Sequence, residues 1–151
     1  MHSTSLQRLQ SNRLMRSESE MRAFEAALED IAADRDPALL PELHLVLDDN
    51  CHQHEVMFGL IHLLESFDVD AQLQAFLDVL PRLIEQASSW TRVLHFRILN
   101  DDEARPCYTR LVRRAGQSSH SCASAILMVI AREEEEPLRS AAVSVLRAMA
   151  T

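Results

Sequence analysis

Two glycines in 151 residues, Gly59 and Gly116, leave little room for chemistry that needs a bare backbone. Glycine-rich phosphate loops, tight hairpins and the dinucleotide fingerprint need residues that take positive φ or let a ligand come close, so all three are excluded. Lysine is absent: the 15 basic residues are all arginine, against 23 acids, for a net charge of −8. That balance argues against a nucleic-acid binder, which needs a basic face toward phosphate. It suits solubility or a basic protein partner. No uninterrupted apolar run approaches the roughly 18 residues of a membrane span. The three cysteines, Cys51, Cys107 and Cys122, are odd in number and widely spaced. They make no disulfide framework and read as a reducing cytoplasm. The polar start also lacks the apolar stretch of a secretory signal.

What is present is helical. Apolar residues make up 47% and charged residues 25%, enough to build one core at this length. Met57, Leu60, Ile61, Leu64 and Phe67 fall on one helical stripe. No segment sustains period-two alternation, so no sheet is expected. The first 18 residues read as a flexible N-terminal extension, and 19–151 as a single helical-repeat domain.

Start and stop signals divide that domain into helices. The first runs from about Ser19 to Ala33. Asp36-Pro37 opens a second, to about Asp48, since the carboxylate caps free N–H groups and proline is pre-set for a first turn. A third spans about Gln53 to Phe67. Asp70 is expected to cap the next, with Pro81 kinking or splitting it before Ala87. Ser88 or Ser89 then opens the helix through Leu99. Asp101 or Asp102 opens another, which Gly116 ends. Ser118 or Ser119 caps a helix to about Ala131, and Glu136-Pro137 opens the last.

The expected caps Asp36, Asp70, Asp102 and Glu136 stand 34, 32 and 34 residues apart. Nine residues after each stand Leu45, Val79, Leu111 and Val145; ten after stand Val46, Leu80, Val112 and Leu146. A period near 33 built from two helices is the signature of stacked helical hairpins. The fold expected is therefore all-α: about eight helices in an α-solenoid of the HEAT or TPR kind.

Stacking would bring the turns before each cap to one edge. Those turns carry Asp34, Asp36, Asp68, Asp70, Asp101, Asp102, Glu103 and Glu133 to Glu136, 11 of the 23 acids. Capping and the helix dipole explain one or two acids per turn, but not four consecutive glutamates. The candidate partner-binding residues are Asp68, Asp70, Asp101, Asp102 and Glu103. Glu65 and Arg97 stand at equivalent places in neighbouring repeats, each five before an expected cap. Stacked helices lie about 8–10 Å apart. The two side chains are expected to form an inter-helix ion pair, because an unpaired charge beside the core is costly.

Catalytic and metal signatures are weak. Cys51, His52, His54, Glu55 and His62 cluster, but His54-Glu55 is not followed by a second histidine at zinc-helix spacing. His44 and Asp48 form at most a half-site. His62 and His95 read as partly buried histidines satisfied locally, and Trp90 as a lid on the core. No nucleophile stands in a recognisable context. No cofactor, metal or enzymatic activity is expected.

The stretches GLIHLLESFD, FLDVLPRLIEQASSW and RILNDDEARPCYTRLV resemble a bacterial polymorphic-toxin immunity family, the all-helical one numbered thirty. The features that carry the likeness are Glu65 before Phe67-Asp68, Leu80-Pro81, Trp90, and Arg97-Ile98-Leu99-Asn100 followed by acids, over roughly residues 38–112. The resemblance implies a cytoplasmic protein that binds and neutralises a cognate toxin as a stoichiometric inhibitor. Without a toxin partner, the same repeats would read as an interaction adaptor or scaffold.

Overall fold

The computed structural model describes residues 2–151. Among them are eight α-helices and no strand. They are α1 (His2–Ser11), α2 (Glu18–Asp34), α3 (Leu40–His44, entered through a 3-10 turn at Pro37–Leu39), α4 (His54–Glu65), α5 (Val69–Leu99), α6 (Ala104–Arg113), α7 (Gln117–Glu133) and α8 (Leu138–Met149). One buried apolar cluster runs through them from Leu9 to Val145. None of the described helices is long and apolar enough to cross a membrane.

Helix α5 decides the architecture. A straight helix of 31 residues would be about 46 Å long. Yet Leu73, near its start, and Ile98, near its end, line one groove. The rings of Phe76 and His95 are 5.4 Å apart. The helix is therefore two antiparallel arms that meet at Ala87, the one residue with non-helical angles (φ −145°, ψ 45°). A helix end near Ala87 was expected from the sequence, and the corner falls there; the kink or split expected at Pro81 does not, since the first arm passes through it. Proline removes the N–H that would bond the Leu77 carbonyl. The Ser119 hydroxyl, from α7, donates to that carbonyl at 2.6 Å instead.

The corner at Ala87 is held by the loop after α3. Gln86 Nε2 donates to the carbonyls of Leu45 (2.5 Å) and Leu47 (3.0 Å), and Asp49 N–H donates to the Gln86 carbonyl at 3.0 Å. The Asp49 carboxylate then accepts from Ser89 N (2.9 Å) and Trp90 N (3.2 Å), capping the second arm from outside it. Trp90, 4% exposed, donates its indole N–H to the Asp48 carbonyl at 3.0 Å. Ser88 and Ser89 were the expected caps; the donors at that point are met by Asp49, 40 residues away in sequence.

Several boundaries differ from the sequence reading. The segment expected as a flexible extension, 1–18, forms α1 and a turn from residue 2 onward, while Met1 lies outside the described residues. Leu9 and Met15 are fully buried, Arg8 pairs with Asp30 on α2 at 2.5 Å, and His52 N–H donates to the Leu14 carbonyl at 2.8 Å. Leu6 and Leu9 on an otherwise polar helix, with Met15 in the turn after it, are too few to read as periodicity. The helix after Pro37 ends at His44 rather than Asp48, and tight turns carry the chain through Leu47. Gly116 does not end α6. It has φ −61° and stands at the N-cap of α7, and Ser118 and Ser119 make no cap bond there. With glycine so scarce, the left-handed positions fall on Met15 (φ 47°) and Arg35 (φ 36°).

Candidate functional site

Opposite the Ala87 corner, the free ends of the two α5 arms meet the turns before α5 and α6. Asp68 is the N-cap of α5; its Oδ2 accepts from Ala71 N at 3.1 Å. Gln72 reaches back from the first turn and donates to the Glu65 and Phe67 carbonyls, at 3.4 and 3.3 Å, closing the end of α4. Across the gap, Asp101 Oδ2 accepts from Ala104 N at 2.7 Å and starts α6. Arg105 ties that turn back through the Leu99 carbonyl at 2.7 Å.

Between these turns lies an open groove of about 480 Å3. Its apolar walls include Val69, Leu73, Phe96, Ile98 and Ala104; its charged lining is Glu65, Arg97, Asp101 and Glu103. Glu65 and Arg97 meet on one wall as a bidentate pair, Nε to Oε2 at 2.6 Å and Nη2 to Oε1 at 2.7 Å. Both are about one-third exposed, so the pair fixes the two elements' register more than it stabilises them. Three carboxylates against one guanidinium leave the groove negative.

The five candidate acids play different parts. Asp101 and Glu103 line the groove. Asp68, beside Val69, is exposed but already used as a cap. Asp102 is 97% exposed at its side chain and touches only Arg105, at 3.0 Å. Asp70 was expected as a cap and border acid. It accepts instead from Arg110 and from the Cys107 thiol, both at 2.6 Å, and so joins α5 to α6. Burial, together with the Asp70 carboxylate, raises the Cys107 thiol to about 11, so it stays protonated. Sequence reasoning missed Gln72 and Phe96 as groove residues, neither of which carries a charge or a motif to mark it, and named Asn100 only within the stretch that carries the family likeness.

The acidic turns are joined unevenly. Arg35 Nη1 donates to the Ser66 carbonyl at 3.2 Å, linking the first turn to the second, and the groove links the second to the third. The fourth is placed by a different contact. Glu133 lies 3.7 Å from Arg92, two turns back from the Leu99 end of α5. Each turn spends one acid on a helix start. Asp36 accepts from Ala38 N, Asp68 from Ala71 N, Asp101 from Ala104 N and Glu136 from Ser140 N. Between Ala104 and Arg132 the chain carries five arginines and no acid, so charge is segregated along it.

Behind the groove sit two buried histidines. His95 is fully buried: its Nδ1 lies 2.8 Å from the Thr91 carbonyl and its Nε2 2.6 Å from the Tyr108 hydroxyl. A carbonyl only accepts, so Nδ1 carries the proton and Nε2 accepts from the tyrosine. Burial lowers the His95 imidazole to about 4 and raises the Tyr108 phenol. His44, 3% exposed, bonds the Leu40 carbonyl through Nδ1 at 2.7 Å and is likewise held near 4 by burial. His62, expected to be partly buried, is exposed, with its ring 6.4 Å from Phe58. His54 rests 5.5 Å from the Trp90 ring. Among the described residues, no three His, Cys, Asp or Glu side chains are placed to hold a metal ion.

No curated protein and no solved structure matches the chain significantly. A family model does: that of Immunity protein 30, over residues 11–108, about two-thirds of the sequence. The matched span holds both sides of the groove and the Ala87 corner. It starts within the segment read from sequence as an extension. The chain belongs to the Immunity protein 30 family.

Proposed function

We propose that this protein binds and neutralises a cognate bacterial toxin as a stoichiometric inhibitor in the cytoplasm, and that the groove between the α4–α5 and α5–α6 turns is its binding face. The observation that carries this reading is the convergence, on one open edge, of an apolar floor with an excess of carboxylates. An apolar centre supplies affinity when it is desolvated, and rim charges supply steering. The matching partner has a basic surface, as a toxin that acts on nucleic acid would. Inhibition of this kind needs a rigid complementary surface and no reaction of its own.

The same reading takes the helices as stacked hairpins over 19–151, with α1 packed on their first helix. Support comes from packing between alternate helices: α2 on α4, α3 on α5, α6 on α8. The test of function is co-expression with the product of the adjoining toxin reading frame. Growth rescued by the intact protein supports it. Unrescued growth, with both proteins folded and present, contradicts it.

A further inference from the structure

A second cavity adjoins the floor of the groove. It measures about 20 Å3 and shares Glu65, Gln72, Leu73 and Ile98 with the groove; His44, Leu64, Phe76 and Leu94 complete its walls. His44 is the unusual member. Its Nδ1 proton is committed to the Leu40 carbonyl, so Nε2 is a bare acceptor. No other side chain among the described residues engages that nitrogen. Every fully enclosed side-chain nitrogen or oxygen among them has a partner. Nε2 is therefore not fully enclosed, and His44 lines this notch. Glu65 adds further acceptors. Arg97 occupies one position on each carboxylate oxygen, and a carboxylate offers about four in all.

We propose that the notch is a one-residue specificity pocket that receives a lysine side chain of the protein partner. Its ammonium would lie between His44 Nε2 and Glu65, its methylenes against Leu73, Leu94 and Ile98. This rests on the groove being the partner face. Size selects the tip: a water-sized group needs roughly 10–15 Å3 by this measure, which an ammonium meets. A guanidinium, planar with five donors, is too large. Charge selects a cation over a hydroxyl, because Asp101 and Glu103 line the adjoining groove while Glu65 and Arg97 balance each other. His44 stays neutral at physiological pH, so it accepts from the ammonium rather than repelling it.

The test uses fragments in place of the toxin. The 15N signal of His44 Nε2 is followed by NMR while n-butylammonium, n-butanol and n-butylguanidinium are titrated into the full chain. The expected result is a saturable shift with n-butylammonium, with a millimolar dissociation constant. The response should be about tenfold weaker with n-butanol and absent with n-butylguanidinium, these being order-of-magnitude contrasts. The Nε2 signal of His95, already held by Tyr108, should not move. Glu65→Gln should weaken n-butylammonium about tenfold. The double variant Asp101→Asn, Glu103→Gln, which leaves the Glu65–Arg97 pair intact, should weaken it less. No saturable shift at His44, an equal response to n-butanol, or binding of n-butylguanidinium would overturn the proposal. A bound fragment without rescue of growth sinks the toxin reading and leaves the pocket standing; rescue without fragment binding does the reverse.

Discussion

At the Ala87 corner, two aspartates are absorbed by the fold. The Asp49 carboxylate accepts from two backbone N–H groups of α5, and Asp48, 6% exposed, accepts from Arg13 at 3.1 Å while its carbonyl holds the Trp90 indole. At the far end of the two arms, Asp102 and Glu103 face solvent beside a groove whose apolar walls are half-buried at Val69, Phe96 and Ala104 and buried at Leu73 and Ile98. One end uses acids to close a turn that has no glycine; the other uses them around an opening. The difference shows how one residue type divides between structure and binding. An acid that meets backbone donors is building material, and an acid left in solvent beside an open, partly apolar groove is available to a partner.

The corner should break hardest. Trp90→Ala removes a buried ring and its bond to the Asp48 carbonyl, and should cost about 3–5 kcal/mol in urea unfolding. An equivalent truncation at the rim, Glu103→Ala, should leave the midpoint within about 0.5 kcal/mol.

Acid should act on the interior between the two ends. His44 and His95 have folded values near 4, below the ordinary 6.5. Their stabilising contribution is therefore complete above pH 6.5 and is lost as pH falls toward 4. Each accounts for on the order of 3 kcal/mol across that window. Unfolding midpoints between pH 7 and pH 4 measure this. A flat profile would mean that the histidines are not buried neutral.

Asp49→Ala strips the cap from the second arm of α5, together with the 3.3 Å contact from the Ser88 hydroxyl, and should cost about 2 kcal/mol. Asp49→Asn should recover part of the loss. If Asp49→Ala matched the small effect of Glu103→Ala, the contrast between the two ends would fail.

The sequence made part of this legible. Helix content followed from stripes such as Met57, Leu60, Ile61 and Leu64, and the charge pairing of Glu65 with Arg97 follows from their spacing of 32 residues. Local signals misled where a distant group supplied the missing bond. Pro81 sits inside a helix because Ser119 satisfies Leu77. The break expected near Ala87 does fall there, but the bonds that hold it come from Gln86 and Asp49 across the corner rather than from Ser88 or Ser89. Asp70 looked like a cap two residues late; only the approach of α6 shows that it belongs to Cys107 and Arg110. The notch was invisible for the same reason. His44 and Phe76 are 32 residues apart, and their rings, 5.7 Å apart and nearly parallel, meet only through packing.

The central claim is that the open acidic edge steers a basic toxin. The direct measurement is the association rate of the toxin with the intact protein and with Asp102→Arg, Glu103→Arg, two residues whose side chains make no cap bond to a helix start, at low and high salt. The account predicts a rate lower by about tenfold or more at low salt, with the gap closing as salt is raised. Equal rates and equal salt dependence for the two proteins would contradict it.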